Sequence, residues 1–351
     1  MLKNLHIVRR FGPVGGMERY VWELSHALAN LDIEIHILCE ESLYTPNHDN
    51  IFIHTLGTTP EKPRWISELR FSHRVQQWVN NNTNHDFVIH SHVRTGVHHI
   101  TTFHSTLFSH VRKKPWWKKI SIRIAVWLYL EKRELCGKQV QVVLPNSDLM
   151  HDELKVEYPC IGNRLYPPAY PGVHPSDNKH LDKTNKQKEV ILFIGQEWQR
   201  KGLHTAVQIV EKIKATRPAI EFWVLGPNPT DIQHLFKHWE KGYRLLGWQE
   251  SAPFLPEANL LLHPAIAEPY GMAIAEAANT RVPVVISNQC GIANQVTNQS
   301  GQVINLNSPL HTWVTACIEE LDRTSPVENI TNSWLELAEQ HVEIYSQIDL
   351  K

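Results

Sequence analysis

The 351-residue sequence contains no apolar run approaching the eighteen or so residues that span a membrane, and its start meets Arg9 and Arg10 before a signal-peptide core could form. It has no net charge to speak of, with 35 Lys plus Arg against 36 Asp plus Glu, so bulk electrostatics gives no reason to expect a nucleic acid partner. Its five cysteines, Cys39, Cys136, Cys160, Cys290 and Cys317, show neither zinc-site nor Cys-x-x-Cys spacing and read as buried, reduced thiols. No short repeat, no low-complexity tract and no Asp-x-Asp occurs. These absences imply a cytoplasmic protein without a membrane span, a disulfide scaffold or a metal-bridged diphosphate site. What is present is ample: 42% hydrophobic residues and a length of about two domains at roughly 150 residues each.

The apolar run Leu5 to Val8 is followed by a turn from Gly12 to Gly16 and by Tyr20, Val21, Leu24, Leu28 and Leu31 at helical spacing. Further strands are expected at 33–38, 51–56 and 87–90, with a helix at 66–79. The Pro-rich stretch 167–171 and the polar stretch 176–188 read as a linker. The pattern then restarts, with strands at 190–194, 220–225, 260–262 and 282–286 and a helix at 203–215. Ser333 and Glu336 have capping-box spacing and open a last helix. Strands alternating with helices predict two α/β halves on parallel sheets, with a ligand cleft between their carboxyl ends.

The chemistry concentrates in Leu262-His263-Pro264-Ala265-Ile266-Ala267-Glu268-Pro269-Tyr270-Gly271-Met272-Ala273-Ile274-Ala275-Glu276. Pro269 keeps Glu268 out of a helix, whereas the residues from Met272 onward favour one. The N–H groups of Gly271, Met272 and Ala273 then open a helix, where phosphate or sugar oxygens are welcome. Glu276 suits the hydroxyls of a ribose and Glu268 those of a sugar. A second stretch, Gly195-Gln196-Glu197-Trp198-Gln199-Arg200-Lys201-Gly202, puts adjacent cations in a strand-to-helix loop, suited to a diphosphate. Each feature alone occurs by chance in soluble proteins. Together the first stretch closely resembles the E-x7-E signature of glycosyltransferase family 4, and the second is similar to that family's Gly-Arg to Lys-Gly loop, with Gln196 in place of the usual Arg and Arg200 beside Lys201 to supply the cation.

The resemblance extends to the lipopolysaccharide core α-glucosyltransferases, through the Arg-Lys-Gly ending and the Leu-His-Pro-Ala lead-in. It implies a GT-B fold of two Rossmann-like domains facing across a cleft: 1–170 on the acceptor side, joined by a returning helix at about 333–351, and 171–332 binding the donor. It implies a retaining hexosyltransferase using a nucleotide sugar, UDP-glucose foremost, with no cofactor or metal. Arg200, Lys201, Glu268 and His104 would be catalytic, the last matching the family's His at a strand end in Thr101-Thr102-Phe103-His104. Gly15, Gly16, Gly271, Met272, Ala273 and Glu276 would bind the donor. A sugar-nucleotide epimerase of the same fold, or an inactive sugar-nucleotide-binding protein, are the rival readings.

Two features remain. His90, His92, His98 and His99 lie close in sequence, but without Asp, Glu or Cys at ligand spacing they read as strand-end residues rather than metal ligands. Lys113, Lys114, Trp116, Trp117, Lys118 and Lys119 interleave cations and indoles, the composition of a membrane interface. A solvated loop leading into a buried helix is the plainer alternative. The resemblance, which points to a saccharide or lipid-linked acceptor, favours a peripheral contact with an anionic membrane.

Overall fold

The computed structural model describes residues 3–82, 87–113, 115, 120–174, 189–330 and 332–350. The chain divides into two compact units, Met1–Gly172 with Asn332–Lys351, and Val173–Thr331. In the first, the strands are β1 (Lys3–Ile7), β2 (Arg10–Phe11), β3 (Ile35–Cys39), β4 (Glu41–Ser42), β5 (Ile51–Thr55), β6 (Phe87–Ser91), β7 (Ile100–Phe103) and β8 (Val142–Pro145). Its helices are α1 (Met17–Ala29), α2 (Arg64–Asn82), α3 (Ile122–Cys136) and α4 (Asp148–Glu157). Six strands form a parallel sheet in the order β5-β3-β1-β6-β7-β8, with β2 and β4 paired apart.

The second unit repeats the plan. Strands β9 (Val190–Ile194), β10 (Glu221–Leu225), β11 (Tyr243–Gly247), β12 (Leu260–His263), β13 (Val284–Ser287) and β14 (Gly301–Ile304) accompany helices α5 (Leu203–Lys214), α6 (Pro229–Ile232), α7 (Met272–Asn279) and α8 (Leu310–Leu321). The parallel order is β11-β10-β9-β12-β13-β14. The final helix, α9 (Trp334–Ser346), packs on α1 in the first unit. Ser333 caps it, its hydroxyl accepting from the Leu335 N–H.

The expected class of two α/β units on parallel sheets is thus what the chain adopts. Strands buried on both faces need apolar side chains at every position, and β9 (VILFI) and β13 (VVIS) read that way. Helix α1 buries Tyr20, Val21, Leu24 and Leu28, one face of a 3.6-residue period. In both units the strand order reverses, between β1 and β6 and between β9 and β12. In doubly wound sheets ligands bind at the carboxyl ends of the strands flanking such a point. Polar side chains gather there: His6, His90 and Ser91 in one unit, His263 in the other, all buried.

One expectation needs correction. Cys136 and Cys160 are not reduced thiols but form a disulfide, closing a loop of 24 residues between the end of α3 and the turn after α4; Cys39, Cys290 and Cys317 are free and buried. After Lys119 the chain enters α3 from Ile122, the partly buried helix that the plainer alternative held. Its buried residues Ile124, Trp127, Leu130, Glu131, Glu134 and Leu135 repeat at helical spacing, and the two glutamates have partners that make burial tolerable. Glu131 accepts from the N–H groups of Phe108 and Ser109, the Tyr158 hydroxyl and Arg94. Glu134, pushed up to about 7 by burial, accepts from Thr101. Among the described residues no helix is long and apolar enough to cross a membrane.

Candidate functional site

At the carboxyl ends of β9 and β12 two loops meet. The first leaves Ile194 and runs from Gly195 to Gly202 into α5. A Cβ on Gly195 would fall 2.0 Å from Lys201 Cδ, so only glycine lets the Lys201 stem lie back over the strand end. A Cβ on Gly202 would fall 2.0 Å from the Pro264 carbonyl oxygen, so glycine there seats the Lys-Gly turn against the Leu-His-Pro segment.

The second loop carries Glu268. Its N–H donates to the Gln289 carbonyl at 2.9 Å and its carbonyl accepts from the Gly291 N–H at 2.8 Å, which fixes the backbone. Its buried carboxylate lies with Oε2 3.2 Å from Lys201 Nζ and 3.5 Å from both an Arg200 nitrogen and His263 Nε2. Burial alone would raise the carboxyl pKa, but Lys201, His263 and Arg200 outweigh it and hold Glu268 well below the usual carboxylate range. Burial in turn lowers the His263 pKa, so that ring is neutral. Lys201 and Glu268 are therefore a charged pair at the reversal point of the second sheet.

Arg200 is placed differently from its neighbour. Its Nε and one terminal nitrogen bond Glu197 Oε2 at 2.9 and 2.5 Å, and the other terminal nitrogen bonds the Ala267 carbonyl. Its charge is largely committed to an exposed carboxylate of its own loop.

Past Glu268 the chain turns at Gly271, φ +116, and enters α7. The first bonds of that helix are from the Ile274 and Ala275 N–H groups to the Gly271 carbonyl, so the Met272 and Ala273 N–H groups precede the ladder. On the next turn Glu276 Oε2 accepts from Ser251 Oγ at 2.7 Å, which steadies the carboxylate.

In the first unit Gly15 has φ +71 and Gly16 caps α1 with open space on its side-chain side. His104 follows β7, half-buried, its ring 3.0 Å from His92 Nδ1 and edge-on to Tyr20. The histidine bunch is not one group: His98 Nε2 donates to the Glu134 carbonyl and His99 Nδ1 accepts from the Ile89 N–H. Lys113 pairs with Glu157 at 2.6 Å, whereas Lys114, Trp116, Trp117, Lys118 and Lys119 lie outside the described residues.

Sequence reasoning gave no role to His263, Ser251, Glu197 or His92. A polar residue ending an otherwise apolar strand, as in Leu260-Leu261-Leu262-His263, is the signal that could have marked His263. Ser251 has none, because it reaches Glu276 only through the fold.

A profile described as Glycosyltransferase Family 4 matches residues 14–170, and one described as Glycosyl transferases group 1 matches 188–322. The Saccharomyces cerevisiae phosphatidylinositol N-acetylglucosaminyltransferase GPI3 subunit is 25% identical over 185 residues, a match that takes in 47% of this chain and 40% of the yeast protein. Among solved structures, WaaG, a glycosyltransferase involved in lipopolysaccharide biosynthesis, superposes with a TM-score of 0.78 at 15% identity, covering 99% of this chain and 96% of that one. Anabaena HepE in complex with UDP and glucose gives 0.69 at 15% identity, covering 99% and 100%. With a glycosyltransferase family 4 domain in the first unit, a glycosyl transferases group 1 domain in the second and the same doubly wound order in each sheet, the chain is a glycosyltransferase of the GT-B fold.

Proposed function

We propose that the protein is a retaining hexosyltransferase that moves glucose from UDP-glucose to a saccharide carried on a lipid, of the lipopolysaccharide-core class. The observation that carries this reading is the Lys201–Glu268 pair at the reversal point of the second sheet, beside the start of α7. A cation held there meets the charge that develops on a leaving diphosphate, and the α7 N–H groups add fixed positive dipole. Glu268, kept ionised, accepts from hydroxyls of the transferred sugar, and Glu276 accepts from the ribose. Attack on the face the diphosphate leaves from lets a diphosphate oxygen take the acceptor's proton, so no protein base and no metal are required. Support for the donor comes from HepE, seen with UDP and glucose, and for the acceptor from WaaG, involved in lipopolysaccharide biosynthesis.

A second reading, N-acetylglucosaminyl transfer, is favoured by the yeast relative, a phosphatidylinositol N-acetylglucosaminyltransferase subunit. Thermal stabilisation by a panel of UDP-, GDP- and ADP-sugars separates the two, since a bound ligand raises stability by mass action. UDP-glucose is expected to stabilise most. A larger shift with UDP-N-acetylglucosamine favours the second reading, and no shift with any UDP-sugar removes both.

Glu276→Ala is expected to weaken UDP binding by about 1.5–3 kcal/mol, because two ribose hydroxyls lose a charged acceptor. Calorimetric titration with UDP measures it. Unchanged UDP affinity would show that Glu276 serves only Ser251.

The lipid-borne acceptor gives the basic, Trp-bearing stretch its place in this reading. Lys114, Lys118 and Lys119 each contribute about 1 kcal/mol near an anionic surface, Lys113 less because it pairs with Glu157, and Trp116 and Trp117 suit head-group depth. Beyond that stretch, Ile120, Ile122 and Tyr129 stand exposed on and before α3, apolar groups that a membrane boundary would cover. Changing the four lysines to Gln is expected to abolish co-sedimentation with anionic liposomes at low salt. Equal binding by the variant would mean that the stretch is a solvated loop.

A further inference from the structure

The carboxyl edge of the first sheet holds a group of rings that the donor-site reading leaves unused. His6 on β1 and His90 on β6 are register partners, His92 follows β6, and Tyr345 comes from α9. All four are buried, and half-buried His104 stands where the group reaches the surface. Their polar atoms form one unbroken run. His90 Nε2 lies 2.8 Å from Thr102 Oγ1, and His90 Nδ1 lies 2.9 Å from Tyr345 Oη. Tyr345 Oη lies 3.1 Å from His6 Nε2, His6 Nδ1 lies 3.1 Å from His92 Nε2, and His92 Nδ1 lies 3.0 Å from His104 Nε2.

The chemistry of these groups couples them. Tyr345 has one hydroxyl proton, so it donates to one of its two histidines and accepts from the other. A neutral imidazole that accepts on one nitrogen donates from the other. Once the sense is set at Tyr345, every later ring follows it. Either His104 carries its proton on Nδ1 and accepts on Nε2, or it donates from Nε2 and keeps Nδ1 bare. A second proton on one ring would make it donate on both sides and so break the common sense of the run, and burial beside other histidines, with no carboxylate in the run to balance it, disfavours that charge.

Resting on the glycosyltransferase reading, we propose that His6, His92 and Tyr345 are positioning residues that hold His104 neutral and in one tautomer, so that its Nδ1 recognises a sugar hydroxyl rather than a phosphate. Among the described residues His104 Nδ1 has no hydrogen-bond partner. A neutral ring offers a phosphate no charge, but it makes a directional bond to a hydroxyl, which can donate or accept. The nitrogens of His6, His90 and His92 also lie within 4.8 Å of one another, the spacing of a metal group. However, each ring nitrogen of the three already has a partner in the run, and the group includes no carboxylate, so an ion would have to break the run to bind.

Long-range 1H–15N NMR of the histidine rings in the full-length protein tests this. In wild type, His6, His92 and His104 are expected each to show one neutral tautomer, of common sense and unchanged from pH 5.5 to 8. His92→Phe, and independently Tyr345→Phe, which removes only a hydroxyl, should leave His104 averaging between tautomers. Both should lower turnover about fivefold to tenfold, the value of one hydrogen bond, with the UDP-glucose KM little changed. His92→Gln, whose amide both accepts and donates, should restore most of the rate. A wild-type His104 that titrates near 6.5 or averages between tautomers overturns the proposal, as does stoichiometric zinc uptake lost in His92→Phe. Turnover of UDP-glucose in the same preparation would then leave the glycosyltransferase reading standing. A locked His104 in a protein without turnover overturns that reading, and with it the hydroxyl role of His104.

Discussion

Lowering the pH from 7.5 to 5 is expected to remove most of the stability of the first unit while the second stays folded. His6, His90, His92, His98 and His341 are all buried there. Burial, with neighbouring histidines adding to it, pushes His6 down to about 3, and burial takes His98 and His341 to about 4; His90 and His92 also lie well below the ordinary value. Unfolded, each ring takes up a proton near pH 6.5. Between that pH and the folded value the unfolded chain binds more protons, so stability is fully present above about 6.5 and falls as the solution is acidified. At pH 5 His6, His98 and His341 each cost about 2 kcal/mol, about 6 together, and His90 and His92 act in the same direction. Glu134 works the other way: its folded pKa of about 7 makes the folded state the better proton binder, returning about 3 kcal/mol at pH 5. The balance is comparable with the whole stability of a domain. Among the described residues the second unit has one buried histidine, His263. Urea unfolding followed at pH 7.5, 6 and 5, with limited proteolysis to identify the surviving unit, measures the effect, and His341→Leu should reduce the pH slope. Equal stability at 7.5 and 5 would mean that the rings are charged or hydrated in the folded state.

The same rings show what can be read from a chain and what cannot. Strands β9, β12 and β13 announce themselves because burial on both faces demands unbroken apolar runs, and Glu268 and Glu276 are legible because a loop, a glycine and a helix follow in order along the sequence. Strands β7, β11 and β14 are short and carry Thr, Arg or Gln, so period and composition miss them. Helix α3 is legible only as one of two readings, because Glu131 and Glu134 on its core face interrupt the apolar pattern. The disulfide and the ring run are non-local: Cys136 meets Cys160 because α3 and the turn after α4 pack together, and Tyr345 meets His6 across 339 positions. The division between Arg200 and Lys201 was illegible for a simpler reason. Adjacent cations look alike until the fold shows that one is bonded to Glu197 and the other lies closer to Glu268.

That division sets the last expectation. Lys201→Ala should cut turnover by about a hundredfold or more at saturating UDP-glucose, since a preorganised charge at a leaving group is worth that much. Arg200→Ala should cost less, because most of its guanidinium is already engaged by Glu197 and the Ala267 carbonyl. The Lys201 variant should also acquire a new pH dependence. Lys201 is the largest influence holding Glu268 ionised against its burial, so without it the Glu268 pKa climbs and residual activity should rise with pH as the carboxyl gives up its proton. Gly195→Ala should reproduce part of the defect without changing any charge, because its methyl occupies the place of the Lys201 stem. Wild-type turnover should persist in EDTA, the protein cation taking the part of a metal. Steady-state kinetics of the variants across pH, with melting temperatures to confirm folding, decides the matter. Near-normal turnover in a folded Lys201→Ala protein would mean that the lysine only neutralises Glu268, and turnover abolished by EDTA and restored by magnesium would place the leaving-group charge on a metal instead.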